Sequence, residues 1–295
     1  TGMRLDRITP ETIEAMCDEL ATTRSGKTVH NIYIRTKQIL NHAVRDKLIP
    51  INPALAAIPP RYEPADTIIL QPGQPAAAIH AAHDPKPRKR DTLHDDQDDH
   101  DMWALMFDLA FATGMRQAER FAITPSELVT RDGIHGIEVR WQLQQLKPDA
   151  TIPGWLQARH ITGNFWLIPP KTRQGIRFIP LDTRTWLRLL ELANKHQCAP
   201  DDLIFTRHGQ PLTGNVERRR WQRALQDAGL PPVTMRAARH FFSTHLAQTG
   251  APEDARKAIM GHAKITTTAR YTHWTPETLA ALADEAREAI GVGNE

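Results

Sequence analysis

The apolar positions of the chain recur mostly at intervals of three and four residues, which is the spacing of amphipathic helices. A first helix is predicted from Pro10, because Thr9 can cap it and Glu11 suits the positive end of a helix dipole. A second helix is predicted over residues 27–46, before a proline-rich break. Together they predict a small helical domain over residues 1–60.

Beyond a proline-containing linker at residues 61–74, a second domain is predicted over residues 75–295. Helical patterns are predicted over residues 75–82, 102–113, 182–195, 214–228, 235–249, 252–260 and 275–291, with a short turn at 267–271. Short strands are predicted at 137–141, 165–168 and 176–179, and residues 171–175 are expected to join the last two as a hairpin. The pattern therefore predicts a mainly α protein with one small three-stranded antiparallel sheet.

One segment of the second domain lacks any apolar period. Residues 84–101, the acidic segment, contain four basic and seven acidic residues and are predicted to be a surface insertion or a disordered loop. Its run Asp95–Asp101 also suggests a two-metal nuclease site, but adjacent acids in a loop diverge, so a solvated acidic loop is favoured. A third interpretation is that the segment repels DNA or occupies a basic groove when DNA is absent.

Composition excludes several classes of protein. With 40% hydrophobic and 24% charged residues, the chain is neither a disordered polyampholyte nor a membrane protein, and no run of 18 apolar residues occurs. The first 30 residues show no secretory signal. The two cysteines, Cys17 and Cys198, lie far apart in sequence, which excludes a disulfide framework and fits a reducing cytoplasm.

The net charge of +3 conceals an uneven distribution. Residues 151–273 carry 18 Lys and Arg against 8 Asp and Glu, whereas residues 274–295 carry 1 against 5. A basic block beside acidic stretches indicates a surface for a polyanion such as DNA. A solvated surface that is merely rich in arginine would give the same count.

Four short segments carry the residues with the most chemistry: residues 113–119, Lys171, residues 236–240, and Gly261-His262 with Tyr271 nine residues after His262. Each alone has an ordinary interpretation. A glycine before an arginine is usually a helix end, a turn lysine is usually solvated, and a lone histidine or tyrosine is usually half-buried. Only the order and the sequence context of the four segments favour a functional site over these ordinary interpretations.

In that order, the segments resemble the motifs of the tyrosine recombinase (phage integrase) family. Residues 113–119 resemble the family's first-arginine box, and Lys171 with residues 179–181 (Ile-Pro-Leu) resembles its lysine hairpin. Residues 239–246 resemble the second-arginine box, and residues 260–273 contain the pattern of the His/Tyr box. The match covers nearly the whole chain.

The resemblance implies a partial helical core-binding (SAM-like) domain over residues 1–60 and a catalytic domain over residues 75–295. It implies a site-specific recombinase of integrase type that needs no metal, ATP or other cofactor and no membrane. Its expected partners are duplex attachment-site DNA, a homotetramer on two DNA sites, and accessory DNA-bending or directionality factors in a bacterial or phage setting. The alternatives are a metal-dependent nuclease and a catalytically degenerate DNA-binding protein of the same fold.

The resemblance also implies residue roles. Tyr271 is expected to be the nucleophile that forms a 3′-phosphotyrosyl link, and Arg116 and Arg239 are expected to bind the scissile phosphate. Lys171 is expected to be the general acid for the leaving 5′ oxygen, and His262 is expected to hydrogen-bond the same phosphate.

Three further residues are expected to support the site: Glu119, Arg236 and His240. Glu119 is expected to orient Arg116, unless it is an ordinary surface carboxylate. Arg236 departs from the family pattern, which usually has histidine there, and arginine cannot take up a proton. It either adds a third positive charge at the phosphate, contacts the DNA backbone, or plays no part.

Two basic helices are candidates to contact DNA. Their residues are His30, Arg35, Lys37 and Arg45 in the first domain, and Arg218, Arg219, Arg220 and Arg223 in the second. A solvated basic face is the alternative for both. The apolar face of the C-terminal helix, which begins at the capping residue Thr275, is expected to dock on an adjacent protomer when DNA is bound, and docking on its own domain is the alternative.

Overall fold

The computed structural model describes residues 2–63, 68, 70–88, 93–172, 175–261 and 274–291. The chain divides into two compact units, Thr1–Thr67 and Ile68–Glu295. Both are built mainly of helices, and the second also holds small antiparallel sheets, so the predicted fold class is confirmed. No helix in the described part of the chain is both long and apolar enough to cross a bilayer.

The first unit is organised by two helices, α1 (Pro10–Ala21) and α2 (Gly26–Arg45). Thr9 caps α1 and Pro10 occupies its first position, as the sequence predicts. The hydroxyl of Tyr33 donates to the backbone oxygen of Ala54 at 2.9 Å and ties α2 to the segment that follows it. The buried apolar residues of this unit are Ile13, Cys17, Val29, Tyr33, Leu40, Ala43, Ile49, Ala54 and Ala57.

The second unit is built around one buried helix. Its helices are α3 (Gln74–His83), α4 (Gln97–Thr113), α5 (Gln117–Arg120), α6 (Thr183–Lys195), α7 (Gly214–Asp227), α8 (Arg236–Gln248), α9 (Glu253–Met260) and α10 (Pro276–Glu288). Every residue of α4 from Met102 to Thr113 is buried, so this helix forms the centre of the core. It ends at Gly114, whose φ of +60° suits glycine, and a Cβ there would lie 2.8 Å from the ring of Phe242.

Within the described residues the strands form two three-stranded sheets and one pair, where a single three-stranded sheet is predicted. They are β1 (Leu128–Arg131), β2 (Ile134–Val139), β3 (Gln142–Gln145), β4 (Arg159–Thr162), β5 (Phe165–Ile168), β6 (Arg177–Pro180), β7 (Thr206–Arg207) and β8 (Gln210–Pro211). The sheet orders are β1-β2-β6, β3-β5-β4 and β7-β8, all with antiparallel pairing.

The predicted hairpin between residues 165–168 and 176–179 is wrong. Strand β5 pairs with β3 and β4, whereas β6 pairs with β2 and places Ile179 opposite Ile137. All four residues of β6 are buried, so the strand lies in the interior and not at the edge of a local hairpin. The residues around Lys171 therefore connect two sheets.

The prediction of a loop for the acidic segment is wrong for its described carboxyl part. Asp96 caps α4 by accepting from the backbone nitrogen of Asp99 at 2.9 Å, and residues 97–101 form the first turns of the helix. An aspartate cap with further acids in the first turn favours a helix start, because helix amino termini are positive. Residues 96–101 thus belong to the folded unit.

The last helix packs on its own unit. Leu279, Ala283 and Ala286 of α10 are buried in a cluster with residues of α8 and α9. The end of α10 also meets α3, where the backbone nitrogen of Gly73 donates to the oxygen of Ala289 at 3.1 Å. In this single chain α10 therefore packs as the own-domain alternative describes, and docking on an adjacent protomer when DNA is bound stays a prediction.

Candidate active site

The first residue of the site is Arg116, which lies just beyond the end of α4 and precedes α5. Its backbone nitrogen donates to Glu119 Oε2 at 2.8 Å, and its Nη1 donates to Glu119 Oε1 at 2.9 Å. Glu119 has no exposed side-chain surface, whereas the Arg116 side chain is 41% exposed. The carboxylate therefore fixes one nitrogen of the guanidinium, while much of the Arg116 side chain stays exposed to a ligand.

A second arginine, Arg177 on β6, binds the same carboxylate. Its Nη1 and Nη2 donate to the two oxygens of Glu119 at 3.2 and 2.8 Å, and its Nε donates to the backbone oxygen of Ile259 at 2.7 Å. Sequence reasoning places Arg177 only in a strand and assigns it no role. One signal could have identified it: Arg177 is a permanently charged residue within an otherwise apolar strand, and a charged residue needs a partner when it is buried.

The third arginine, Arg239, lies in the first turn of α8. Its Nη1 donates to the backbone oxygen of Gly114 at 2.7 Å, and its Nη2 donates to that of Met260 at 2.5 Å. These bonds join the end of α4 to the end of α9 through one guanidinium. The close fit of Gly114 against α8 brings the first-arginine and second-arginine segments together.

The carboxyl end of α9 organises all three side chains. We call residues 259–261 the α9 terminus, and Arg116, Arg177 and Arg239 the arginine cluster. Arg116 Nη2 donates to the oxygen of residue 261 at 3.2 Å, so each of three successive carbonyls accepts from a different member of the cluster. Free carbonyls at a helix end attract cations, which accounts for this convergence.

The electrostatics of the site follow from this crowding. Burial alone would raise the pKa of Glu119, but the charges and hydrogen bonds of Arg177 and Arg116 outweigh it and lower the pKa from 4.5 to about 2. Burial, reinforced by the like charges of Arg116 and Arg177, lowers the pKa of Arg239 to about 10. At neutral pH one carboxylate faces three guanidinium groups, so the cluster is positive.

A cavity of about 570 Å³ opens beside the cluster. Arg116 and Arg239 line it together with Arg236, which is exposed, and with Arg218 and Gln222 from α7. An anion in this cavity would meet guanidinium groups from α8, from α7 and from the residue before α5. Guanidinium forks match the paired oxygens of a phosphate, so the arrangement suits a phosphodiester.

The remaining predicted site residues differ in what the structure says of them. Lys171 is exposed in the connection after β5, and His240 is exposed on α8 beside Arg239. His262 and Tyr271 lie outside the described residues. The structure therefore brings together Arg116, Glu119, Arg239 and Arg236.

Comparison with known proteins gives the family. Residues 91–278 match the phage integrase family, and this match includes more than half of the chain. The chain belongs to the phage integrase family. The resemblance seen in the four sequence segments is thereby confirmed.

Individual relatives are tyrosine recombinases. The chain is 32% identical to tyrosine recombinase XerC 2 of Ralstonia nicotianae over 119 residues, which are 38% of this chain and 34% of that relative, so the match spans about a third of the relative's length. The Tn1549 transposon integrase, solved in complex with transposon right end DNA, superposes with a TM-score of 0.69 at 20% identity, over 96% of this chain and 87% of that one. A lambda integrase tetramer bound to a Holliday junction superposes with a TM-score of 0.56 at 18% identity, over 89% of this chain and 66% of that one. These likenesses support the same overall fold.

The basic stretch on α7 has an exposed part and a buried part. Arg218 and Arg219 are exposed. Arg220 is buried, and its Nε and Nη2 donate to Asp95 at 2.9 and 2.5 Å. The side chain of Arg223 is 11% exposed and lies 3.7 Å from the carboxylate of Asp227. Internal carboxylates hold both side chains in this structure, which argues against direct contact of Arg220 and Arg223 with DNA, so they are left out of the DNA contacts proposed below.

The predicted DNA-contacting residues on α2 are more accessible than Arg220 and Arg223. Arg35 and Arg45 are exposed, whereas His30 and Lys37 are half-buried. Arg35 donates to the side chain of Gln38 at 2.9 Å. A hydrogen bond to a neighbouring residue of the same helix leaves other guanidinium donors available, so these positions stay predicted DNA contacts.

The acids of the Asp95–Asp101 run point to separate partners. Asp95 binds Arg220, Asp98 lies 2.5 Å from Lys195, and Asp101 lies 3.2 Å from His83. Throughout the described residues, no three His, Cys, Asp or Glu side chains converge as metal ligands would. The run therefore acts in this structure as a set of ion-pair partners and a helix cap.

Proposed function

We propose that this chain is a site-specific DNA recombinase that cleaves and rejoins DNA strands through a 3′-phosphotyrosyl intermediate, without metal or ATP. The observation that carries the proposal is the convergence of Arg116 and Arg239 on one cavity, each anchored to the α9 terminus. Two fixed guanidinium forks beside an open cavity are what a phosphodiester in a crowded, highly charged transition state requires. Membership of the phage integrase family supports the same assignment.

The two arginines stabilise charge that develops during cleavage. As the nucleophile adds to phosphorus, negative charge grows on the two non-bridging oxygens. Guanidinium groups stay charged at neutral pH, and Arg239 does so even with its pKa lowered to about 10. Because Glu119 and backbone carbonyls already fix both side chains, little reorganisation is needed when the substrate binds.

The bond-making groups are assigned from the family motifs. The phenolate oxygen of Tyr271, whose proton has passed to solvent, attacks phosphorus, and the bond between phosphorus and the 5′ oxygen breaks. Lys171 gives its proton to the leaving 5′ oxygen, and His262 donates a hydrogen bond to the phosphate. The phosphotyrosyl link conserves the energy of the broken bond, so a new 5′ hydroxyl can displace Tyr271 without ATP.

Arg236 is proposed to be a third positive group at the phosphate. Its exposure and its position on the wall of the same cavity as Arg116 and Arg239 support this role over one directed away from the site. It supplies charge but cannot act as a general base. His240, next to Arg239 and exposed, stays a predicted supporting residue.

The proposed assembly is a homotetramer on two duplex attachment sites in a bacterial or phage setting, with accessory DNA-bending or directionality factors. The likeness to a lambda integrase tetramer on a Holliday junction supports it. The proposed DNA contacts on α7 are Arg218 and Arg219, and those on α2 are Arg35 and Arg45, with His30 and Lys37 beside them. Their positive charge suits the phosphate backbone.

A nicked duplex that carries the DNA flanking the chain's own coding locus tests the proposal. Cleavage should survive EDTA and leave protein attached to the DNA after denaturation in SDS. Tyr271→Phe should abolish the adduct while DNA affinity stays nearly unchanged, because one hydroxyl is lost among many phosphate contacts. Cleavage that requires a divalent cation and leaves no adduct would instead establish a nuclease. Binding without cleavage would establish a degenerate DNA-binding protein.

A further inference from the structure

Arg177 has no part in the proposed chemistry, yet it makes several hydrogen bonds within the site. It is buried, with 5% of its side chain exposed, so it cannot meet DNA directly. Yet it donates to both oxygens of Glu119, to Ile259 and to the backbone oxygen of Gly175 at 3.1 Å. These partners come from three separated parts of the chain.

We propose that Arg177 is a positioning residue of the strand-cleavage reaction, which locks Glu119, and through it Arg116, to the α9 terminus. This inference rests on the proposed recombinase function and extends it to a residue that does not touch the phosphate. Arg177 acts on the reacting groups in two directions. One runs through Glu119 to the guanidinium of Arg116, and the other runs through the backbone of residue 259 to the end of α9.

The first direction depends on shared hydrogen bonds. Glu119 accepts from the backbone and side chain of Arg116 and from two nitrogens of Arg177, so its four bonds fix the plane of the carboxylate. Without Arg177, the carboxylate would keep only its bonds to Arg116 and could rotate with it. A phosphate-binding fork that can rotate loses alignment with the two non-bridging oxygens, and a displacement of about 1 Å can cost ~10²-fold in rate.

The second direction depends on close packing at the α9 terminus. Gly261 has a φ of +64°, and a Cβ there would lie 2.9 Å from Arg177 Nη1 and 3.0 Å from its Cζ. The backbone therefore lies directly against the guanidinium. From this point the chain continues to His262 and, nine residues later, to Tyr271. A residue that fixes the position of Gly261 therefore fixes the point at which this stretch of sequence begins.

The side chain required here is arginine. Five N–H donors in a rigid plane can serve both oxygens of Glu119 and two backbone carbonyls at once. Lysine carries the same charge on a single nitrogen with three donors, so it can replace the charge but not the geometry. The variant Arg177→Lys thus separates a positioning role from a purely electrostatic one.

The experiment measures the rate of covalent adduct formation in a single turnover, with the nicked duplex saturating, for the wild type, Arg177→Lys and Arg177→Gln. We expect a loss of about 10²-fold for Arg177→Gln and about 10-fold for Arg177→Lys, with DNA affinity within about twofold of wild type. The matched control is Arg220→Gln. Arg220 is equally buried, with 8% of its side chain exposed, and pairs with Asp95, so this variant also loses a buried ion pair. Its adduct rate should stay within about threefold of wild type.

A pH profile distinguishes positioning from general loss of structure. The charged groups that face Glu119 are Arg116 before α5, Arg177 on β6 and Arg239 on α8. Removal of Arg177 leaves a buried carboxylate with less positive charge around it, so its pKa rises. The adduct rate of Arg177→Gln should then fall as the pH is lowered from 8 toward 5 more steeply than that of wild type or Arg220→Gln.

A double variant completes the test. The part of the Arg177 effect that runs through Glu119 should be absent when Glu119 is already changed, so Arg177→Gln should slow the Glu119→Gln variant by clearly less than it slows wild type, and the double variant should lose the added pH dependence. If Arg177→Gln does not fold, Arg177→Lys carries the comparison. A wild type that forms no adduct overturns the recombinase function and this inference together. Wild-type rates and pH profiles in folded Arg177 variants would overturn the inference alone.

Discussion

The ion pairs of Glu119 make a prediction about stability that needs no DNA. In the folded chain the pKa of Glu119 is about 2, compared with 4.5 for an ordinary glutamate. A difference of this size between folded and unfolded states corresponds to about 3 kcal/mol of unfolding free energy. Because the folded pKa is lowered, the contribution is complete above pH 4.5 and is lost as the pH falls from 4.5 toward 2. The variant Glu119→Gln removes the titration and leaves Arg177 without its carboxylate.

The quantity to measure is the difference in unfolding free energy between wild type and Glu119→Gln in urea, at intervals from pH 7 to pH 3. Tryptophan fluorescence reports on the second unit, because all seven tryptophans lie between Trp103 and Trp274. Wild type should be more stable by about 3 kcal/mol at pH 7, and the difference should shrink by about 2 kcal/mol between pH 5 and pH 3.

A second buried glutamate provides a control of opposite sign. Burial raises the pKa of Glu127, which accepts hydrogen bonds from the backbone and side chain of Thr124. Its protonated form is the one favoured by folding, so the advantage of wild type over Glu127→Gln should grow as the pH falls. If the Glu119 difference is the same at every pH, the carboxylate is not held ionised by Arg177 and Arg116, and the electrostatic reasoning about the site is wrong.

Further variants test the site and the last helix. Arg239→Lys should lower the cleavage rate by ~10²-fold or more at saturating DNA, because an ammonium cannot present two parallel donors to a phosphate as a guanidinium does; a wild-type rate would place the phosphate elsewhere. Arg236→Ala should lower the rate equally from about pH 6 to 8, whereas Arg236→His should restore much of it with a new titration near neutrality, and an unchanged alanine variant would remove Arg236 from the site. Gly261→Ala should slow cleavage by forcing Arg177 to move, and an unaffected rate would show that the α9 terminus adapts. Truncation after Trp274 should destabilise the second unit by roughly 3–6 kcal/mol, because burial of one leucine and one isoleucine side chain is lost; an unchanged urea midpoint would show that α10 is not part of the core.

The sequence predicts those parts of the fold that depend on local signals. The beginnings of the helices capped by Thr9 and Asp182 can be predicted from the sequence, because the cap and the first turn lie within four residues of each other. The strand pairing is not found, because β6 pairs with β2, about forty residues earlier, and nothing in the turn after β5 encodes that choice. Asp95 is likewise misread as solvated, since its partner Arg220 lies 125 residues away.

The same contrast between local and long-range signals applies to the residues of the active site. Arg116, Glu119 and Arg239 can be placed from motif resemblance, because each lies within a recognisable run of residues. Arg177 cannot be placed, because its importance arises only when Glu119 and the α9 terminus, separated by about 140 residues, are brought to one point. Burial and partner choice are properties of the folded chain, and a charged residue in a strand shows neither.

The ion pair between Arg220 and Asp95 changes how this chain should respond to salt. A DNA-binding protein gains affinity by releasing the cations condensed on each phosphate that it neutralises, and the dependence of affinity on salt counts those phosphates. An arginine whose charge is already matched by a carboxylate of the same fold releases none. The carboxylate of Asp95 thus serves as a permanent internal counterion, and the salt dependence of DNA binding should be shallower than the 18 Lys and Arg of residues 151–273 suggest.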